Sequence, residues 1–118
     1  MSQAEYQFQI EVADYLKLVC PYPWSAIAHG GYILDKRTGA KLKAMGLMPG
    51  LADLLVMIPR GCVWLELKTP TGRQSAMQKA FQIMVSKLAG HSYHLCRSLD
   101  DEQDALESRG VKLLGRVA

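Results

Sequence analysis

Two short segments near the middle of the chain combine strand-forming residues with acids and a lysine that could do chemistry. Residues 53–58 are aliphatic after an initial aspartate, and residues 62–68 alternate apolar and polar side chains, which is typical of strands. The Pro-Arg-Gly sequence at 59–61 predicts a reversal between them. The pattern therefore predicts a hairpin that places Asp53 opposite Glu66.

Alternate residues of a strand share a face, so Glu66 and Lys68 should point the same way, at the end of the hairpin that carries Asp53. Two carboxylates that lie close together repel, and one becomes protonated unless a cation lies between them. A hard divalent cation such as Mg²⁺ takes oxygen ligands, binds phosphate oxygens and lowers the pKa of a bound water. A neighbouring ammonium can stabilise the charge that develops. We therefore interpret these residues as the site of a metal-dependent phosphodiesterase.

The Glu-x-Lys sequence has a simpler alternative, a solvated strand face with a weak surface ion pair. Two features favour the catalytic interpretation. Leu65 and Leu67 flank Glu66, which predicts that one face of the strand is buried. The loop at 69–73 also leads directly into a predicted helix, whose N-terminus can hold an anion.

The rest of the chain predicts the elements that position this cluster. Residues 4–19 carry apolar side chains at three- and four-residue spacings, which predicts an amphipathic helix. Residues 75–89 predict a second helix, because Ser75 and Gln78 have capping-box spacing and Gly90 can close it. The order of elements predicts an α/β sandwich. The other predicted elements are a short strand at 24–28, a turn at 29–31, a basic segment with a helical turn at 36–45, a strand at 93–96, a helix at 98–108 and an edge strand at 111–114.

The motifs also resemble, in order and spacing, those of the virus-type replication-repair nuclease (VRR-NUC) family, a branch of the PD-(D/E)xK nucleases. Each motif is short, but together they run over most of the chain. They are Glu5-x-x-x-Gln9, His29-Gly30-Gly31, Lys43-Ala-Met-Gly46 through Pro49-Gly50-Leu-Ala-Asp53, Glu66-Leu-Lys68, and Ser75-x-x-Gln78 with the later Gly90. Two positions depart from the family pattern: Ala52 replaces a proline, and His29 replaces an asparagine.

The resemblance implies a single nuclease domain over residues 1–118 with a restriction-endonuclease-like core, in which helices flank a mixed central sheet. It implies dependence on Mg²⁺ or Mn²⁺ and hydrolysis of DNA phosphodiesters. Compact members often act as homodimers on branched DNA such as four-way (Holliday) junctions, so we expect both properties here. The catalytic residues implied are Asp53, Glu66, Lys68, Glu5 and Gln78, and the metal ligands among them are Asp53, Glu66 and Glu5.

Two of these assignments have structural alternatives. Glu5 could be an exposed acid in the first helical turn, where the helix dipole favours a negative charge. Gln78 is equally explained by the capping box with Ser75.

Contacts to DNA are predicted from the basic residues. The net charge is only +3, but four cations fall within residues 36–43 with no acid between them. Such a segment is often a solvated face; in a nuclease, however, it favours phosphate contact, because DNA backbone binding is largely electrostatic. The predicted DNA-binding residues are Lys36, Arg37, Lys41, Lys43, Arg73 and His29.

The composition excludes several other classes. The apolar runs are too short to span a bilayer, and three scattered cysteines favour neither a disulfide framework nor a zinc site. We therefore expect a cytoplasmic protein without membrane contact, and the family resemblance implies a bacterial or phage-infected cell. The open alternatives are a nicking, flap or restriction-type nuclease, a catalytically silent DNA-binding module on the same fold, and a small α/β protein unrelated to nucleic acid.

Overall fold

The computed structural model describes residues 2–27 and 36–115, with side chains from residue 40 onward in the second range. None of the helices in these ranges has the length and apolarity needed to cross a membrane. The elements are α1 (Gln3–Val19), β1 (Trp24–Ala26), α2 (Lys36–Ala44), β2 (Leu54–Ile58), β3 (Gly61–Leu67), α3 (Ala76–Val85), β4 (His91–Cys96) and α4 (Leu99–Ser108).

The four strands form one sheet in the order β1-β2-β3-β4. The strand β2 pairs antiparallel with both β1 and β3, and its register with β3 is Leu54↔Leu65. This register is the one that places Asp53 opposite Glu66, so the predicted hairpin is confirmed. The strand β4 runs parallel to β3. A parallel pair needs a crossover connection, which α3 provides.

Alternation along β3 separates two layers of helices. Val63 and Leu65 face one side, where they pack in the main core with Leu16 of α1 and Leu106 of α4. Trp64 faces the other side and packs against a smaller cluster that contains Phe81 of α3. The predicted architecture, a mixed central sheet flanked by helices, is confirmed.

The helix α3 begins as predicted and ends earlier. Ser75 caps it, and both hydrogen bonds of the capping box with Gln78 are present. The helix ends at Val85 rather than Ala89, since Ser86 is its C-cap. The Ser86 hydroxyl donates a hydrogen bond to the Gln82 carbonyl at 2.7 Å.

The predicted role of Gly90 as the end of α3 is therefore wrong. Gly90 has φ +78° and comes so close to the β2–β3 turn that a Cβ atom would lie 2.3 Å from the Arg60 carbonyl oxygen. The glycine is needed for this close approach of two backbones.

Two more predictions need correction, and one lies outside the described residues. Residues 36–44 form a full helix, α2, rather than a single helical turn. Residues 111–114 form no edge strand: Val111 is buried in the main core, and Leu114 N–H donates to the Val19 carbonyl at 2.9 Å. This segment therefore packs against the end of α1 instead of extending the sheet. The predicted turn at 29–31 is not among the described residues.

Candidate active site

Asp53 lies at the end of the β2–β3 pairing, where its side chain accepts one of the hydrogen bonds from the β3 backbone. Its N–H donates to the Leu65 carbonyl at 3.1 Å, while its own carbonyl accepts from Ile27 N–H of the segment after β1 at 2.9 Å. Because that carbonyl is engaged, the Leu67 N–H donates instead to Asp53 Oδ2, at 2.7 Å. The carboxylate is buried and attached to the β3 backbone through one oxygen.

The segment before Asp53 is guided by a close approach to α3. Gly50 has φ +81°, and a Cβ atom there would lie 2.4 Å from the Met77 carbonyl oxygen. Only glycine fits this position. Ala52, which stands where the family pattern has proline, is fully buried with Phe81 of α3. These contacts bring Asp53 to the α3 end of the site.

Glu66 lies one residue before the end of β3, and its side chain is 1% exposed. Its Oε2 accepts a hydrogen bond from Gln78 Nε2 of α3 at 2.9 Å. Its Oε1 is buried and has no hydrogen-bond partner among the described residues. Gln78 therefore serves two roles, because the same side chain caps α3 through Oε1 and holds Glu66 through Nε2.

Lys68 follows β3 directly, and its N–H donates to the Cys96 carbonyl of β4 at 3.0 Å. Its Nζ lies 3.6 Å from Glu66 Oε2, and the two side chains are only 10% and 1% exposed. The pair is therefore buried, which argues against the alternative of a solvated surface ion pair. Asp53, Glu66 and Lys68 meet at one end of the hairpin.

The electrostatics of the cluster show an excess of negative charge. The pKa of Glu66 is raised to about 8, chiefly by burial and next by the nearby charge of Asp53, while Lys68 acts in the opposite direction. One ammonium does not offset two buried carboxylates, so the free site favours a proton on Glu66. A divalent cation could take the place of that proton, because it would neutralise both carboxylates.

The residues present fit a hard divalent cation. Glu66 Oε1 is a buried oxygen with no hydrogen-bond partner in the described part of the chain. Asp53 and Glu66 are oxygen donors, and Mg²⁺ is usually held by one or two carboxylates together with waters and substrate phosphates. Within the described ranges, no group of three or more His, Cys, Asp or Glu side chains could hold a metal ion.

Glu5 is therefore not grouped with Asp53 and Glu66 in the structure. It lies in the first turn of α1 and is half-buried, and its N–H donates to the Ser2 hydroxyl of the N-cap at 3.1 Å. This first-turn position is the one that the structural alternative for Glu5 predicts, although the side chain is half-buried rather than exposed. Its assignment to the metal stays a prediction.

The structure places the predicted DNA-binding residues only in part. Lys41 and Lys43 are exposed on α2, and Arg73 is exposed in the loop before α3. Lys36 and Arg37 begin α2, but their side chains are outside the described set, and His29 lies outside the described residues altogether. Their contacts with DNA stay predictions.

Three residues near the site were not predicted from the sequence. Gln74 Nε2 donates to the Tyr93 hydroxyl and to Gln82 Oε1, both at 3.0 Å. Arg97, directly after β4, donates to the Thr69 and Gly72 carbonyls at 2.6 and 2.7 Å and so holds the loop that follows Lys68. A cation placed just after a strand that neighbours the Glu-x-Lys strand could have indicated Arg97. No comparable signal marked Gln74 or Tyr93.

Comparison with known proteins supports the fold. No protein-family profile matches the chain, and no curated protein matches its sequence. Among solved structures, the chain is similar to a protein described as a "VRR_NUC domain protein", with a TM-score of 0.66 and 22% identity over 92% of this chain and 89% of that chain. The chain therefore has the same fold as that protein. This fold is the one that the motif resemblance implies.

Proposed function

We propose that the protein is a metal-dependent DNA nuclease that hydrolyses phosphodiester bonds with Mg²⁺ or Mn²⁺. The observation that carries this proposal is the buried Glu66 carboxylate, which lies beside Asp53 and has one oxygen, Oε1, without a hydrogen-bond partner among the described residues. A buried, unpaired carboxylate oxygen is costly in a protein interior. A cation that binds there removes that cost.

In this proposal, Asp53 and Glu66 hold the cation, which supplies Lewis-acid stabilisation of a phosphate oxygen and a bound water of lowered pKa. Lys68 is the positively charged side chain to which we assign a catalytic role. Its ammonium, 3.6 Å from Glu66 Oε2, stabilises negative charge that develops on the phosphate or orients the attacking water. Gln78 fixes the Glu66 carboxylate from α3.

The DNA contacts proposed are electrostatic. Lys41, Lys43 and Arg73 are exposed, and with Lys36 and Arg37 they provide cations that can contact the phosphate backbone. We further propose that the substrate is branched DNA, such as a four-way junction. One site cuts one strand, and symmetric cutting of a junction needs two sites, which a homodimer supplies.

The test is cleavage of labelled four-way junction, flap, single-stranded and linear duplex DNA with Mg²⁺ or Mn²⁺. We expect wild-type cleavage that requires the metal, and a loss of roughly 10²-fold to 10³-fold in Lys68→Ala, the scale of removing one group that stabilises a transition state.

Lys112→Ala is the matched control, because Lys112 is an exposed lysine that follows α4. It should cleave like wild type. The ranking of the four substrates separates junction resolution from nicking, flap or restriction-type cleavage. If no substrate is cut with either metal while DNA is still bound, the catalytic proposal fails and the protein is a DNA-binding module.

A further inference from the structure

Tyr93 brings a phenol hydroxyl to the same side of the sheet as Glu66. In the parallel pairing of β3 and β4, Tyr93 lies beside Trp64, and Leu95 lies beside Glu66. Tyr93 and Glu66 therefore share the α3 face, one alternate position apart. The ring is half-buried and packs edge-on against Phe81, with centroids 6.1 Å apart. These contacts define where the hydroxyl lies.

The hydroxyl oxygen of Tyr93 already accepts a hydrogen bond. Gln74 Nε2 donates to it at 3.0 Å and donates equally to Gln82 Oε1. A phenol has one O–H donor besides its acceptor capacity. With Gln74 acting as the donor, the proton of Tyr93 is left for a different partner.

The acceptor that faces this proton is Glu66. Burial raises the pKa of Tyr93, and the charge of Glu66 is the next contribution, which places the phenol within close electrostatic reach of that carboxylate. Glu66 Oε2 is taken by Gln78 and Lys68, whereas Oε1 has no partner in the described residues. The Tyr93 hydroxyl and the Glu66 carboxylate, with its open Oε1, thus lie on the same face of the sheet.

We propose that Tyr93 is a positioning residue for Glu66: its phenol holds the Oε1 side of the carboxylate while that carboxylate binds a divalent cation, as Gln78 holds Oε2. Gln74 in turn orients the phenol. This inference rests on the proposed function and deepens it, because it assigns a support to the metal-binding carboxylate. Groups that hydrogen-bond to metal ligands typically affect metal affinity or activity by 10-fold to 100-fold.

The experiment measures Mn²⁺ binding by calorimetry, without DNA, for wild type, Tyr93→Phe and Gln74→Ala. We expect Tyr93→Phe to raise the Kd for Mn²⁺ about tenfold and Gln74→Ala to raise it less, since the phenol remains. The matched control is Tyr22→Phe, which removes the same atom from a half-buried tyrosine beside Ile58 and Pro59, at the hairpin turn away from the site. It should bind Mn²⁺ like wild type.

The outcomes separate this inference from the proposed function. If wild type binds Mn²⁺ and Tyr93→Phe binds it with an unchanged Kd, the role of Tyr93 is overturned and the nuclease proposal stands. If wild type binds no Mn²⁺, the nuclease proposal fails, and this inference fails with it. Should Tyr93→Phe not fold, Gln74→Ala decides, because a wild-type Kd in that variant contradicts the proposed orientation of the phenol.

Discussion

Two buried glutamates lie on opposite sides of the sheet and differ in what surrounds them. Glu66 on the α3 side has an amide, an ammonium and a second carboxylate as neighbours. Glu102 on α4 is fully buried, and neither of its oxygens has a hydrogen-bond partner among the described residues. The pKa of each is raised to about 8, in both cases chiefly by burial.

The same raised pKa therefore occurs in two different environments. Around Glu66, the partners hold a carboxylate that can exchange its proton for a cation. Around Glu102, the Cys96 thiol favours ionisation, but burial and the acids Asp101 and Asp53 outweigh it. A raised pKa alone does not identify a functional site. The Gln78 amide and the Lys68 ammonium beside the carboxylate distinguish Glu66.

The largest expected difference appears when each glutamate is made neutral. We expect Glu66→Gln to lose cleavage by 10³-fold or more, on the order of the largest single-group effects on catalysis. The variant should also lose stabilisation by Mn²⁺, which in wild type should reach about 2.7 kcal/mol at a metal concentration 100 times the Kd. Thermal unfolding with and without Mn²⁺ measures this. If Mn²⁺ raises the unfolding temperature of wild type and Glu66→Gln equally, Glu66 does not bind the metal.

A smaller effect is expected when Glu66 is made more like Glu102. Gln78→Met removes the amide that holds Oε2, and we expect cleavage to fall about tenfold, the scale for a group that supports a metal ligand. Because Gln78 also caps α3, Ser75→Ala serves as the control: it removes the cap alone and should cost about 1 kcal/mol of stability. Comparable losses of cleavage in both variants would show that the cap, rather than the contact with Glu66, matters.

The smallest effect on cleavage is expected at Glu102, where the change appears in stability. Its folded pKa of about 8 lies above its ordinary value of 4.5, so the folded state keeps a proton that the unfolded state loses. This contribution to stability is fully present below pH 4.5 and is lost as the pH rises through 8, with a slope of up to about 1.4 kcal/mol per pH unit. In Glu102→Gln, this loss of stability with rising pH should be absent.

Urea unfolding of wild type and Glu102→Gln between pH 5 and pH 9 gives the difference in unfolding free energy that checks this sign. Asp104→Asn, an exposed acid on the same helix, should show the wild-type pH dependence. Parallel curves for wild type and Glu102→Gln would mean that Glu102 is ionised in the folded protein.

The hairpin and its cluster were predictable because their signals are local. The alternation in β3 and the turn at Pro59 set the register, and the register brings Asp53 to Glu66. The end of α3 was not predictable in this way. The apolar Leu88 and Ala89 continue the helical pattern, but Gly90 is held against Arg60 of the hairpin turn by a long-range contact. Local periodicity carries no information about such a contact.

The supports of the site also depend on tertiary contacts. Gln74 and Tyr93 are 19 residues apart in sequence, and they meet because β4 pairs in parallel with β3 while α3 crosses over the sheet. Nothing in the spacing of these two residues indicates a hydrogen bond. Glu102 illustrates the opposite case, because its place among the acids at the start of α4 is typical of an exposed first turn, whereas the structure buries it.

The hydrogen bond from Leu67 N–H to Asp53 Oδ2 has an entropic consequence. A free aspartate side chain samples several rotamers, and ordering it on binding a ligand costs free energy. Asp53 has already lost that freedom when the sheet forms, because its carboxylate substitutes for a backbone carbonyl. The orientation of the carboxylate is thus set by the spacing between two strands, and the ordering cost belongs to folding rather than to the capture of the cation.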